Sequence, residues 1–314
     1  MRMTLVAAAL AALMAGTASA ETIGVSMQSF DNNFQTLLRQ GIQARAAEVG
    51  GVTVQVEDAQ TDISKQINQV NNFIAAKVDA IILTLADASA APAITEAANK
   101  AKIPLVYLNL EPSNVAKLPD REAYIGSKET DAGRLAAQAA CDLLKAKKKE
   151  NSAQVYILMG DLAHQASHDR TDSFKGALTA GDCKGTTIAD EQSALWQRTN
   201  AMDMTTNWIT AGRPIDVVFA NNDEMALGAV QALKASGMSM KDEVVIGIDA
   251  TQDGLAAMAA GDLAATVFQN AKGQSASAVD AAVAFARGKP VEKEVMVPFE
   301  LVTPKNMNEY AHKN

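Results

Sequence analysis

Nine side chains have the types needed to recognise hydroxyl groups: Asn32, Phe34, Asn109, His164, Arg170, Trp196, Asn222, Asp249 and Gln269. Carboxamides, a carboxylate and a guanidinium are fork-like donors and acceptors that suit vicinal hydroxyls, and flat aromatic faces cover the C–H side of a saturated ring. A buried polar group without a partner costs roughly 1–3 kcal/mol, so such a set favours a small neutral polyol that satisfies each member. Catalytic chemistry has much thinner support. The chain has no GxSxG, HExxH or P-loop pattern. Glu111 and Asp249 can be imagined as a glycosidase pair, but no sequence feature perturbs either carboxyl. His164 and His168 have the i,i+4 spacing of a zinc pair without a third ligand of matching spacing, so neither metal nor cofactor is expected.

These residues act together only if folding gathers them, and the order of elements does that. Residues 216–237, DVVFANNDEMALGAVQALKASG, open with a short apolar strand and pass through Asn221, Asn222 and Asp223 into a helix that Gly237 ends. The same alternation runs along most of the chain. Strands are expected at 22–27, 52–58, 79–85, 104–109, 123–126, 154–159, 186–191, 244–249, 264–269 and 295–299. Helices are expected at 34–49, 63–78, 89–102, 130–147, 169–180, 198–210, 255–260 and 273–287. Near-continuous apolar strands alternating with amphipathic helices imply parallel sheets covered on both faces.

On this layout the nine residues fall at the carboxyl ends of strands, where open α/β sheets hold ligands, and they come from both halves of the chain. Asn32, Asp223 and Asp249 also suit plain helix caps; Asp223 is assigned to the cap and Asn222 to the ligand. Trp196 fits ring stacking or ordinary packing. Arg170 is placed in a first helical turn, where it opposes the dipole and so needs a functional reason. Arg170→Ala or Asp249→Ala should then leave the fold intact and weaken binding by on the order of 2–4 kcal/mol.

Residues 1–20 read as a secretory signal with cleavage after Ala20, which places the product in the periplasm. Removing them takes away one Arg and no acid, leaving 27 basic and 36 acidic residues and a formal charge of −9. That charge disfavours nucleic acid as a partner. The one basic cluster, residues 145–149, is placed at a helix end facing solvent. The remaining chain suits two domains, 21–126 with 271–296 and 127–270 with 297–314. Cys141 and Cys183 can form a disulfide or remain two buried thiols.

The chain resembles the periplasmic sugar-binding proteins of ABC transporters, the ribose and galactose/glucose type. The likeness lies in FDNNF at 30–34, LNLEPS at 108–113, YIGSKETDAG at 124–133, ANNDEMALGAVQALK at 220–234 and GIDATQDGLAAM at 247–258. The resemblance implies a type I periplasmic binding protein fold, with two doubly wound parallel-sheet α/β domains joined by a three-segment hinge. It implies that Phe34 and Trp196 sandwich the ligand ring while Asn32, Asn109, His164, Arg170, Asn222, Asp249 and Gln269 take its hydroxyls. Glucose and galactose binders of this type carry Asp, Lys and Asp where Asn32, Leu110 and Ala166 stand, and a calcium loop where this chain has only 145–152. Residues 57–66, 190–200 and 297–307 are closer to the inositol-binding branch, which points to myo-inositol, with ribose, xylose or galactose as the alternative. The partners implied are a polyol or sugar and an inner-membrane ABC permease, with a chemoreceptor or sensor kinase as a compatible addition, and the protein is expected to be a monomer. Sugar-responsive repressors share this body, but they carry a helix-turn-helix where this chain has an export signal.

Overall fold

The computed structural model describes residues 20–314, so the expected export signal, apart from Ala20, lies outside the described residues. The first half alternates β1 (Glu21–Met27), α1 (Asn33–Val49), β2 (Val52–Asp58), α2 (Ile63–Ala76), β3 (Ala80–Leu83), α3 (Ala91–Ala101), β4 (Leu105–Leu108) and β5 (Glu122–Gly126). The second continues through α4 (Glu129–Lys147), β6 (Gln154–Met159), α5 (Gln165–Ala180), β7 (Thr187–Ser193), α6 (Arg198–Thr210) and β8 (Val217–Ala220). After these come α7 (Asp223–Ala235), β9 (Val244–Ile246), α8 (Gln252–Ala259), β10 (Thr266–Phe268), α9 (Ala271–Ala286), β11 (Glu294–Met296) and β12 (Glu300–Val302).

Two parallel sheets result, ordered β11-β5-β4-β3-β1-β2 and β7-β6-β8-β9. Single bridges, Ile246 to Ala265 and Asp249 to Phe268, extend the second sheet toward β10, which pairs antiparallel with β12. Central strands such as β3, Ala-Ile-Ile-Leu, are buried at every residue because helices cover both faces, whereas the edge strand β2 is nowhere fully buried. Four apolar clusters fill the layers. Two draw their members from 23–125 and 271–295, and two from 132–268 and 299–310, so none spans both sheets. The chain passes between the sheets after β5, after β10 and between β11 and β12.

Several boundaries differ from the sequence expectations for identifiable reasons. The strand expected at 295–299 is two strands, since Pro298 has no N–H to continue the ladder after Val297 donates to the Gly126 carbonyl. Helix α2 stops at Ala76 because Lys77 turns left-handed at φ 56°. Helix α5 starts four residues earlier than expected, so Arg170 sits in its second turn and the dipole argument for it falls. The basic cluster does not simply face solvent: Lys145 pairs with Asp182, Lys147 donates to the Lys241 carbonyl and Lys149 pairs with Asp216 at 2.6 Å. Cys141 on α4 and Cys183 beyond α5 are bonded, with Cα atoms 5.7 Å apart. Closing that loop contributes on the order of 4 kcal/mol in the chain-entropy treatment.

Glu122, at the start of β5, is 2% exposed; its Oε2 accepts from Thr95 Oγ1 at 2.8 Å and its Oε1 has no partner among the described residues. Burial pushes this carboxyl from 4.5 up to about 7, against the opposing pull of Thr95 and Lys293. A folded-state pKa raised for an acid means that the native form holds the proton longer. Stability is then full below the unfolded value and falls as pH rises through about 7. At 1.36 kcal/mol per unit, a loss on the order of 2 kcal/mol is expected between pH 5 and pH 8. Denaturant titrations at both pH values should show the loss in the wild type and a flatter profile in Glu122→Gln. Equal slopes would show that Glu122 is not its source.

Candidate functional site

All nine residues singled out from the sequence line one cavity between the two sheets, of about 400 Å³ including its open mouth. Asn32 reaches it from the β1–α1 connection, Phe34 from the first turn of α1 and Asn109 from the end of β4. His164 and Arg170 come from the β6–α5 region, Trp196 from the β7–α6 loop, Asn222 from the end of β8, and Asp249 and Gln269 from beyond β9 and β10. The carboxyl ends of parallel strands meet here because both sheets point them at the same gap.

On the side of the first sheet, the Asn32 side chain caps α1 by accepting from the Gln35 N–H at 3.1 Å, so it is both a cap and a lining residue. Asn109 is left-handed at φ 69°, and the Tyr124 hydroxyl donates to its carbonyl at 3.0 Å. Its side chain accepts from Gln35 Nε2 at 3.4 Å and donates to Gln274 Oε1 at 3.2 Å. Gln35 Oε1, buried against the cavity, has no partner among the described residues.

On the opposite side, Arg170 is 4% exposed and donates to Glu129 Oε2 at 2.6 Å, the Asn221 carbonyl at 2.7 Å and Gln269 Oε1 at 3.1 Å. Three of its five N–H groups are thereby used, leaving two for a bound molecule. Burial raises the Glu129 carboxyl, and the guanidinium pulls it back part of the way. Burial likewise holds the Asp249 carboxyl well above the usual carboxylate range despite Arg170 nearby. Gln269 Nε2, like Gln35 Oε1, is buried without a partner among the described residues.

His164 and Trp196 form a unit that reaches across the gap. Indole N–H is only a donor, so the 3.0 Å contact from Trp196 Nε1 makes His164 Nδ1 the acceptor and leaves the proton on Nε2. Nε2 then donates to the Ala86 carbonyl, 3.2 Å away beyond β3. Asn33 Nδ2 makes a second cross-gap contact to Glu224 Oε1 at 3.4 Å. The Trp196 backbone is left-handed at φ 63°, and its ring lies on Gly160, where a Cβ would come within 2.1 Å of Cζ2.

Some sequence readings change here. The helix cap is Asn222, whose Oδ1 accepts from the Met225 N–H at 3.0 Å; Asp223, one residue into the helix, turns inward instead. Asn222 also lines the cavity. Asp249 is not a cap either, since Thr251 caps α8. Glu111 faces a separate surface depression with Pro112, Leu162 and His168 and does not line the cavity with Asp249. His168 is half-buried and turned to the Leu162 carbonyl, and no cluster among the described residues could hold a metal ion. Sequence reasoning missed Gln28, Gln35 and Glu129. Glu129 was open to the rule that found the others, since it lies just past the carboxyl end of β5.

Known proteins share this arrangement. The family described as periplasmic binding protein domain matches residues 23–290. A Rhizobium meliloti protein provisionally named for rhizopine binding is 47% identical over 314 residues, covering 100% of both chains. The ribose import binding protein of Bacillus subtilis (strain 168) is 33% identical over 284 residues, covering 90% of this chain and 88% of its own. An ABC transporter solute-binding protein from Bacillus halodurans C-125, solved with bound myo-inositol, has a TM-score of 0.87 at 38% identity, covering 95% of this chain and 100% of its own. With its two α/β sheets and the gap between them, the chain belongs to the periplasmic binding protein family, as a solute-binding protein and not an enzyme.

Proposed function

We propose that the chain is the exported receptor of an ABC importer that closes on a cyclic polyol, myo-inositol first, and delivers it to an inner-membrane permease. The observation that carries this reading is the cavity's pair of buried, unpartnered polar atoms, Gln35 Oε1 as acceptor and Gln269 Nε2 as donor, one from each side. A ligand hydroxyl can serve either, and one molecule serving both would draw the two halves together. The nine lining residues then act as the binding set, with Phe34 and Trp196 covering the ring. Leu110 and Ala166 give the wall an apolar patch in place of further charge. The myo-inositol bound in the B. halodurans protein supports the ligand class. A pentose is the second reading, favoured by the ribose import relative.

The division into 21–126 with 271–296 and 127–270 with 297–314 follows the membership of the four apolar clusters, and the three connections between them act as the hinge. Export by the 1–20 segment, a monomeric state and a sensory partner in addition to the permease complete the reading. Calorimetry against myo-inositol, other cyclitols, ribose, xylose, glucose and galactose tests it. A cyclitol should bind at micromolar concentration or tighter and outcompete the aldoses. Absence of any micromolar binder in that panel would sink it.

A further inference from the structure

We infer that Asp223, which does not line the cavity, is the positioning residue that aims the Asp249 carboxylate into it. The inference rests on the proposed role of that cavity. Asp249 and Ala250 are consecutive non-glycine residues in the left-handed half of backbone space, at φ 121° and 52°. Such conformations persist only where the surroundings over-determine them.

Asp223 supplies the constraint. It is fully buried at the start of α7, and its N–H donates to the Ile248 carbonyl at 2.7 Å. Its Oδ2 accepts from the Thr251 N–H at 2.8 Å and from Thr251 Oγ1 at 3.1 Å. Its Oδ1 accepts from Thr266 Oγ1 at 2.7 Å, and that hydroxyl in turn accepts from the Ala250 N–H at 3.3 Å. Residue 251 is thus tied to the Asp223 carboxylate directly and residue 250 through one hydroxyl, while residue 248 is tied to the Asp223 main chain, and Asp249 is the residue they leave pointing outward. The same turn delivers Gln269, whose N–H donates to the Asp249 carbonyl at 3.3 Å.

Two glycines make room for the carboxylate. A Cβ at Gly247 would come within 2.2 Å of Oδ1, and one at Gly254 within 2.3 Å of Oδ2. Three donors converge on two oxygens in this slot, so an amide fits only if its N–H meets the Thr266 hydroxyl and that hydroxyl gives up donating; turned the other way, it faces the Thr251 N–H, a donor only.

A double-mutant cycle in Asp223→Asn and Asp249→Asn tests the inference, read as affinity for myo-inositol or, if that does not bind, the tightest member of the calorimetry panel. Asp223→Asn should weaken binding by about 20-fold or more in the wild type and by less than about threefold in the Asp249→Asn background. Equal losses in both backgrounds, or a loss under twofold in the wild type, would overturn it. If Asp223→Asn does not fold, Thr266→Val takes its place in the cycle. If nothing in the panel binds, the functional reading fails by itself, and a crystal structure of either variant decides this inference. Asp249 and Ala250 should leave their positive-φ conformation and the Asp249 carboxylate its place in the cavity; an unchanged turn would overturn it.

Discussion

Arg170→Ala should abolish tight binding and also destabilise the protein by about 3 kcal/mol, although the sequence presents Arg170 as a ligand contact alone. The guanidinium is the counter-charge of Glu129, which is 7% exposed, and it also holds the Asn221 carbonyl and Gln269 Oε1. Removing one partner of a buried pair strands the other and costs about 3–5 kcal/mol. Glu129 lines the cavity and is not enclosed by packed side chains on every face, which places the cost at the lower end. Loss of the two N–H groups left for ligand, with the displacement of Gln269, should weaken binding by roughly a hundredfold or more. The two losses can be separated. Arg170→Met combined with Glu129→Met removes both charges and keeps the volume, so denaturant titration should recover most of the stability, whereas calorimetry should show no recovery of affinity. An Arg170→Ala protein as stable as wild type would mean that the Glu129 pair contributes nothing to the fold. A double variant that binds normally would remove Arg170 from the site.

How the residues were legible follows from what sets their positions. The alternation of β2, the apolar run of β6 and the period of α6 appear where the sequence puts them, because each is a local pattern of side chains. The nine cavity residues could be found because one topological rule, ligands at the carboxyl ends of parallel strands, applies to every strand alike. The misses come where that rule or the local signal runs out. Gln35 is one residue past Phe34 on a buried helix face, where periodicity reads only packing. Glu129 is the exception: the rule reaches it just past β5, and it is missed because it opens α4 one residue before the expected start. Asn222 and Asp223 are chemically equivalent candidates for the cap. The choice between them is made by Gly247, Thr251 and Thr266, which are more than twenty residues away in sequence. The early start of α5, which moves Arg170 into the second turn, depends on the His164 main chain being extended where its ring is engaged by Trp196 and Ala86.

Gly228→Ala should cost about 3 kcal/mol or more of stability, even though glycine in a helix interior is ordinarily about 1 kcal/mol worse than alanine. Gly228 lies on α7 where α6 crosses it. An added Cβ would come within 2.2 Å of the Arg198 carbonyl oxygen and 3.0 Å of both the Ala201 Cβ and the Met202 nitrogen. Two of these atoms belong to the α6 backbone, so no side-chain rotation relieves the clash and the helices must separate, with loss of packing. The separation also reaches the cavity. Arg198 ties the start of α6 to Glu224 at 3.0 Å and to Asp253 at 2.9 Å, and Trp196 stands two residues before it. Weaker ligand binding should therefore accompany the lost stability. Gly176 is the internal control: it is an exposed glycine within α5 with nothing within 4 Å of a built Cβ. Gly176→Ala should be neutral or stabilising by up to about 1 kcal/mol. Both glycines look alike in the sequence, each a single Gly inside a helical pattern, and guanidinium unfolding of the two variants should give opposite signs. If Gly228→Ala proves neutral, α6 and α7 do not approach as closely as described, and the position of Trp196 over the cavity loses its support.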